Sequence, residues 1–328
     1  MEMLRDARKR AWDFPRSMIT LPNPMKSVNG DPATPPVGLA PMLLEVLALC
    51  GYGLWMLLGL ALTLGIYSSG RGDALVPLAL GCGFVSAGLL TACLRLRALS
   101  EWHGWRIGRA QRPTREALLA LATYLPMLGL AGLVRGSEDF WATRLISLVL
   151  ALCSLVCLVT SAYGYRTRRL ADQAGVAAQL PISRLLSACY GGGLWLWVCL
   201  IFQADLPGNR EEPLPWAIGL LLLAMLLGLV DGVGWHSLRG SRLGEQKLQS
   251  PPDLQALRFL AAALICAIPC LSLLLVPVVP AGRWLAAFAA AAYIVGKSLE
   301  LWLYDFALTR FALAHPLQPA SNSSQTRP

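Results

Sequence analysis

A basic and aromatic segment, residues 95–120, ends on a carboxylate at the point where an apolar run begins. Its two tryptophans and its histidine, Trp102, Trp105 and His103, precede the neighbouring Arg115 and Glu116. Six arginines lie in the segment: Arg95, Arg97, Arg106, Arg109, Arg112 and Arg115. A carboxylate at the start of a hydrophobic helix is costly to desolvate, so it is either paired locally or functional. Two alternatives follow: an Arg115–Glu116 ion pair at a membrane surface, with arginines that set topology, or a proton acceptor at a binding site.

Further ionisable residues lie in or beside long apolar runs: Glu45, Asp231, Lys297, Glu300 and Asp305. Charged side chains at membrane depth pair with one another or mark a pathway for ions or substrates. Lys297 and Glu300 are three residues apart, a spacing that brings two side chains together on one face of a helix. We therefore predict a structural ion pair between Lys297 and Glu300.

Histidine and cysteine usage disfavours a metal or haem centre in this chain. The three histidines lie near loops or in the tail: His103, His236 and His315. A buried b-type haem needs axial ligands on helices at membrane depth, so we expect no haem. Cys153 and Cys157, like Cys266 and Cys270, are one helical turn apart, whereas zinc and iron–sulfur sites usually use tighter loop spacings. We expect no metal site and, because no phosphate-binding glycine motif occurs, no nucleotide chemistry.

Composition defines the class of protein. Of 328 residues, 55% are hydrophobic and only 14% are charged, and the mean hydropathy is +0.54. A soluble domain is about one quarter charged. Several apolar runs reach the roughly 20 residues that a helix needs to cross a bilayer. The sequence therefore predicts an all-α, polytopic membrane helical bundle. Its net charge of +9 bears on membrane orientation, and no nucleic-acid partner is expected.

The apolar runs predict about eight transmembrane helices, because backbone groups in hydrocarbon must be satisfied within a helix or a closed barrel. Their ranges are 40–67, 75–94, 117–134, 144–165, 184–202, 215–235, 257–280 and 284–306. Residues 38–312 thus form the membrane domain. A polar, basic extension precedes it at 1–37, and a polar tail, which we expect to be disordered, follows at 313–328. Consecutive glycines at Gly191, Gly192 and Gly193 favour close helix packing in the fifth span.

Lysine and arginine are unevenly distributed between alternate segments. The N-terminal extension and every second segment after it carry 22 of the 28, the other set carries five, and Lys297 lies within a span. Because cytoplasmic loops are enriched in positive charge, this bias predicts that both termini lie in the cytoplasm. It places Glu116 on the same side of what we expect to be a bacterial inner membrane.

Three stretches together resemble the family of membrane-anchor subunits of dimethyl sulfoxide reductase-type molybdoenzymes. RALSEW followed by PTREALLALATYLP is similar to that family's loop and third span. CLVTSAYGYRTRR with SRLLSACYGGGLWL resembles the end of its fourth span and its glycine-containing fifth span. GKSLELWLYDFAL is similar to a Gly-x-x-x-Glu-x-Trp-Leu-Phe pattern in the last helix, matching Gly296, Glu300, Trp302 and Leu303. The likeness extends over most of the membrane domain.

The resemblance implies a complex and not an enzyme that acts alone. Family members anchor a molybdopterin catalytic subunit and an iron–sulfur electron-transfer subunit, and they oxidise menaquinol in anaerobic electron transport without binding haem. By this likeness Glu116 is the candidate proton acceptor for quinol, and Arg115 would orient it. Trp102, His103 and Trp105 would lie near the quinol. We assign structural roles in the last helix to three residues: Lys297, Glu300 and Trp302.

The chain departs from the family pattern in ways that leave other functions open. The family has a histidine closing the second span, but GLLTACL stands at residues 88–94 here. The loop before Glu116 is also longer, and the third helix of typical members opens toward the non-cytoplasmic side. One alternative is a degenerate anchor that tethers its partners without oxidising quinol. Another is a transporter or proton-conducting bundle that uses Glu45, Asp231 and the Lys297–Glu300 pair.

Overall fold

The computed structural model describes residues 39–67, 72–93, 115–135, 141–169, 174–203, 214–240, 252–276 and 282–314. All of them lie in one compact unit, Val37–Pro328, and the regular structure in these ranges is entirely helical. The helices are α1 (Leu39–Leu64), α2 (Leu75–Cys93), α3 (Arg115–Ala122), α4 (Tyr124–Leu133), α5 (Trp141–Arg169), α6 (Ala174–Gln203), α7 (Leu214–Gly240), α8 (Pro252–Ala262), α9 (Ile268–Leu275) and α10 (Gly282–Ala314), with a π-helical turn at Ala263–Ala267.

Six helical segments are long and apolar enough to cross a membrane, which confirms the predicted class of helical membrane protein. They are Met42–Leu64, Trp141–Ala162, Pro181–Gln203, Pro215–Val233, Gln255–Leu275 and Gly282–Tyr304. Two shorter apolar helical segments, Leu75–Leu89 and Leu118–Leu133, occupy the second and third predicted spans. The outer surface is apolar as well: on α7, Leu222 is 63% exposed and Met225 is 75% exposed. Such side chains are typical of a lipid-facing helix.

Two prolines account for the interruptions of otherwise continuous runs. Proline has no N–H to donate to the carbonyl four residues earlier. In the third predicted span, Pro126 follows the break at Thr123, whose hydroxyl donates to the Ala120 carbonyl at 2.6 Å. In the seventh predicted span, the π turn precedes Pro269, and the Ile268 N–H donates to the carbonyl five residues back. The apolar pattern alone predicted neither interruption.

Helix α1 lies at the centre of the bundle and packs against α2, α5, α6 and α10. Its Leu54, Trp55 and Leu58 are fully buried. The closest approach is to α6, where a Cβ added at Gly192 would lie 2.2 Å from the backbone nitrogen of Leu54. The predicted role of the α6 glycines in close helix packing is confirmed, because only glycine leaves room for this contact.

Helices α1 and α6 run parallel. Near their starts Glu45 contacts Arg184, and at their ends the Tyr67 hydroxyl donates to Gln203 at 2.6 Å. Four other helices run antiparallel to one of these two. In each case the residue number rises along one helix as it falls along its neighbour. Against α1, the contacts are Gly51 with Val85 and Trp55 with Leu78 for α2, and Gly59 with Ser147 and Thr63 with Arg144 for α5. Against α6, they are Ser183 with Asp231 and Gly193 with Leu220 for α7, and Ser187 with Tyr293 and Phe202 with Trp284 for α10.

These directions define the two ends of the bundle. We call the end at which α1 and α6 begin the Glu45 end; α2, α5, α7 and α10 terminate there. The hairpin of α4 and α5, with Gly129 close to Ile146, brings the start of α3 toward the same end. Within the described residues, α3 at Arg115 and the segment 183–196 begin near the Glu45 end, and the segments 157–169 and 296–308 end near it.

Candidate functional site

The interior of the Glu45 end contains five charged side chains, contributed by four helices of an otherwise apolar bundle. They are Glu45 on α1, Arg184 on α6, Asp231 on α7, and Lys297 and Glu300 on α10. We call these five residues the charge cluster. Ionisable side chains at membrane depth are costly unless they are paired, and they mark functional sites more often than other buried residues.

The first part of the charge cluster is a pair between α1 and α6. An Arg184 guanidinium nitrogen donates to a carboxylate oxygen of Glu45 at 2.5 Å. Both residues are only 6% exposed. A short charge-assisted hydrogen bond of this kind is among the stronger polar contacts in a protein. It joins the two parallel central helices, α1 and α6, near the Glu45 end.

The second part is centred on Lys297, which is 5% exposed. Its ammonium donates to Asp231 on α7 at 2.8 Å and to Glu300, one turn further along α10, at 2.7 Å. The predicted Lys297–Glu300 pair is thereby confirmed. The ammonium group has three N–H donors, and two of them serve these carboxylates. One lysine thus bridges carboxylates from two helices.

Adjacent residues of α6 connect the two parts. Ser183 donates to the second carboxylate oxygen of Asp231 at 2.5 Å, while Arg184 holds Glu45. Residues that are neighbours in sequence have Cα atoms about 3.8 Å apart, so both carboxylates are anchored to a single turn of α6. The charge cluster therefore ties α1, α6, α7 and α10 together at one level of the bundle.

Sequence reasoning identifies four of the five charges but misses how they combine. Glu45, Asp231, Lys297 and Glu300 stand out as ionisable residues in apolar runs, whereas Arg184 counts as a loop charge in the topology prediction. Two signals were available: Arg184 is the first residue of the fifth predicted span, and an acidic residue in an apolar helix requires a cation. The Asp231–Lys297 contact joins residues far apart in sequence, which no local spacing could indicate.

The predicted quinol-site residues lie largely outside the described part of the structure. Trp102, His103 and Trp105 are outside the described residues. Helix α3 begins at Arg115, so the backbone of Arg115 and Glu116 is helical, but their side chains are not described. Trp302 is partly buried on α10, beyond the charge cluster. Of the predicted site residues that the structure describes, it brings Lys297 and Glu300 together and adds Asp231 to them.

The opposite end of the bundle has a polar network of its own. The Tyr67 hydroxyl contacts Gln203, whose amide nitrogen donates to the Asp73 carbonyl at 2.7 Å. Tyr67 and Gln203 are 3% and 5% exposed. Because these groups satisfy one another, Tyr67 after α1 and Asp73 before α2 are both held at the end of α6. Helices α1 and α6 are consequently joined by polar contacts at both ends.

The cysteines show no arrangement for metal binding in the described part of the chain. No group of three or more His, Cys, Asp or Glu side chains there is placed to hold a metal ion. The described cysteines are free thiols, and the pairs one turn apart lie within α5 and across the π turn into α9. These thiols act as small apolar groups in the packing.

Comparisons with protein-family models, with curated proteins and with solved structures find no match to this chain.

Proposed function

We propose that this chain is the membrane-anchor subunit of a dimethyl sulfoxide reductase-type molybdoenzyme complex. It tethers an iron–sulfur subunit and a molybdopterin catalytic subunit and passes electrons to them from menaquinol. The observation that carries this proposal is that the described parts of the stretches resembling the anchor family, within 115–126, 157–169, 183–196 and 296–308, each begin or end near the Glu45 end. A shared location is expected if they were retained for one docking and quinol-binding surface.

The proposal includes eight passes of the membrane. Helices α2 and α5 both run antiparallel to α1, so the chain has to return once between them, and the α3–α4 segment supplies that pass. The same alternation continues through α10. Six segments have full spanning length, and the two shorter ones, Leu75–Leu89 and Leu118–Leu133, fit as the second and third spans. A short apolar segment is accommodated by local thinning of the bilayer and by flanking residues that reach the interface.

Quinol oxidation is assigned to the region of Glu116. Oxidation of a quinol releases protons with the electrons, and a carboxylate at the membrane edge is suited to accept one. Arg115 orients that carboxylate, the Trp102 and Trp105 rings hold the loop at the interface, and His103 lies in the same vicinity. On α10, Glu300 braces the helix through Lys297. No tightly bound cofactor is assigned to this chain; menaquinol is its substrate.

The charge bias supports a cytoplasmic location of the Glu45 end, which is opposite to the usual orientation of the family. The partner subunits would then dock on the cytoplasmic face of a bacterial inner membrane. Fusions of green fluorescent protein and of alkaline phosphatase to each terminus test this orientation. Fluorescence without phosphatase activity is expected at both termini, and the reverse pattern would place the partners outside.

The decisive experiment is purification of the tagged chain from native membranes in a gentle detergent, followed by assays for molybdenum, iron and co-purifying chains. A molybdenum-containing subunit together with an iron–sulfur subunit is expected.

In that complex, Glu116→Gln should reduce quinol-dependent electron transfer by about 10²-fold or more, the lower bound for loss of a general base. Glu211→Gln is the matched control, because it lies in the predicted loop on the other side. If Glu116→Gln retains full quinol-dependent activity, Glu116 is not the proton acceptor. If the wild-type complex itself shows no quinol-dependent electron transfer, the chain is a tether without quinol chemistry.

A second candidate function, transport or proton conduction, is favoured by the charge cluster itself. Carboxylates and cations from four helices lie inside the bundle, as in pathways for protons or ions. The discriminating measurement is proton or ion flux into vesicles that contain only this chain. A transporter conducts alone, whereas an anchor is inert without its partners.

A further inference from the structure

A pair of hydroxyl groups lies between α2 and α4. The Ser86 hydroxyl and the Tyr124 hydroxyl are 2.9 Å apart, and the Cys82 thiol is 3.9 Å from Ser86. Two hydroxyls carry two donor hydrogens, and their mutual hydrogen bond uses one. Within the described part of the chain, the other has no acceptor except the thiol sulfur, which is a weak one. The pair can therefore accept an additional oxygen ligand.

The surroundings make an additional ligand energetically favourable. Ser86 lies in the apolar segment Leu75–Leu89 and Tyr124 in Leu118–Leu133, and Ser86 is exposed on the outer surface of the bundle. Hydrocarbon offers no water to satisfy a hydroxyl group at this depth. A donor without a good acceptor there carries a free-energy cost that a lipid-dissolved molecule with a suitable oxygen atom removes.

The site also has a rigid aromatic wall and open space. The Tyr124 ring packs edge-on against Trp55 with centroids 5.5 Å apart, and the Trp55 indole N–H donates to the Leu78 carbonyl at 3.1 Å. A Cβ added at Gly83, one turn before Ser86, would meet no atom within 4 Å. A flat ring entering from the lipid thus finds room beside α2 and an aromatic surface to pack against.

We infer that Ser86 and Tyr124 bind the headgroup of a quinone or quinol as it enters from the lipid, an inference that rests on the proposed quinol function. A quinone carbonyl accepts a hydrogen bond from the pair, and a quinol hydroxyl donates to one of its oxygen lone pairs. Tyr124 is eight residues beyond Glu116, about 12 Å along a helix axis. The hydroxyl pair is therefore an entrance site that positions the headgroup, and proton transfer takes place at Glu116.

The test uses the full chain in lipid nanodiscs and a short-chain naphthoquinone whose Kd is measured by titration. Tyr124→Phe keeps the ring on Trp55 and removes the hydroxyl, and Ser86→Ala removes its partner. Each should weaken binding about five-fold, the effect of one neutral hydrogen bond. The matched control is Tyr52→Phe, in the same aromatic group, where the Tyr52 hydroxyl has no hydrogen-bond partner among the described residues.

Kinetics in the assembled complex separate the entrance site from the proton acceptor. Tyr124→Phe should raise the KM for quinol and leave kcat unchanged, whereas Glu116→Gln should lower kcat. If Tyr124→Phe and Ser86→Ala bind the naphthoquinone as the wild type does, the entrance site is wrong while the quinol function stands. If the folded wild-type chain binds no naphthoquinone, both the entrance site and the proposed quinol function are refuted. Gel filtration of each variant verifies folding, and Ser86→Ala keeps the test valid if Tyr124→Phe does not fold.

Discussion

Replacing Lys297 with methionine tests whether the charge cluster holds the bundle together. Methionine has a similar length and no charge, so Asp231 and Glu300 would lose the cation that bridges α7 and α10. Removing one partner of a buried ion pair costs about 3–5 kcal/mol because a charge is left uncompensated. The side chain of Lys297 is 6% exposed, but those of Asp231 and Glu300 are 17% and 16% exposed. We therefore expect the lower end of that range, about 3 kcal/mol.

The free energy of unfolding is measured by titrating the purified chain with dodecyl sulfate and following circular dichroism. A loss of about 3 kcal/mol corresponds to more than a hundred-fold change in the unfolding equilibrium. Arg135→Met is the control, because Arg135 is exposed at the end of α4. A surface substitution of this kind should change stability by no more than about 0.5 kcal/mol.

A compensating variant distinguishes charge pairing from packing. Combining Lys297→Met with Asp231→Asn and Glu300→Gln removes all three charges and keeps the side-chain volumes close to those of the wild type. The amide oxygen of the new side chain at position 231 can still accept the hydrogen bond from Ser183. Replacing a whole buried ion pair is often neutral, so this triple variant should recover most of the lost stability. The reasoning is refuted if Lys297→Met is as stable as the wild type, or if the triple variant is no better than the single one.

Further substitutions test the packing of α1 against α6 and the network at the other end of the bundle. Gly192→Ala should destabilise the chain by about 1–3 kcal/mol, since the new Cβ would overlap the backbone of Leu54. Its control is Gly228→Ala, which should be close to neutral because a Cβ added at Gly228 would meet no atom within 4 Å. Gln203→Leu should cost about 1–3 kcal/mol, because it leaves the buried Tyr67 hydroxyl without its side-chain partner. Both effects are measured in the same dodecyl sulfate titration, and equal stability of Gly192→Ala and Gly228→Ala would contradict the close approach of the two helices.

The helices and some of their contacts were predictable because they depend on local sequence. Long apolar runs require helices in hydrocarbon, and each predicted span overlaps a helix of the structure. The Lys297–Glu300 pair follows from a spacing of three residues on one helix. The glycines of α6 indicated a close helix approach, although the sequence did not identify α1 as the partner.

The remaining features depend on contacts between distant segments or on competing local effects. The bond of Lys297 to Asp231 requires α7 and α10 to be neighbours, and sequence spacing contains no information about that. Arg184 is the first residue of a predicted span, but charge counting assigned it to the preceding loop because arginines at a span boundary are treated as exposed to water. The break at Thr123 arises from the missing N–H of Pro126, an effect that hydropathy does not register.

The charge cluster and the Tyr67–Gln203 contact connect some helices of the bundle and leave others out. The charge cluster fixes α1, α6, α7 and α10 at one end, and the contact of Tyr67 with Gln203 fixes α1 to α6 at the other. The α3–α4 segment belongs to neither network in the described part of the chain; it packs chiefly against α5 and touches α2 beside Tyr124. We propose the contact line between α2 and α4, which we call the seam, as the route by which quinol enters from the lipid. Glu116 and Tyr124 both lie on the segment that borders this seam, which is why we place quinol entrance and quinol oxidation along the same segment.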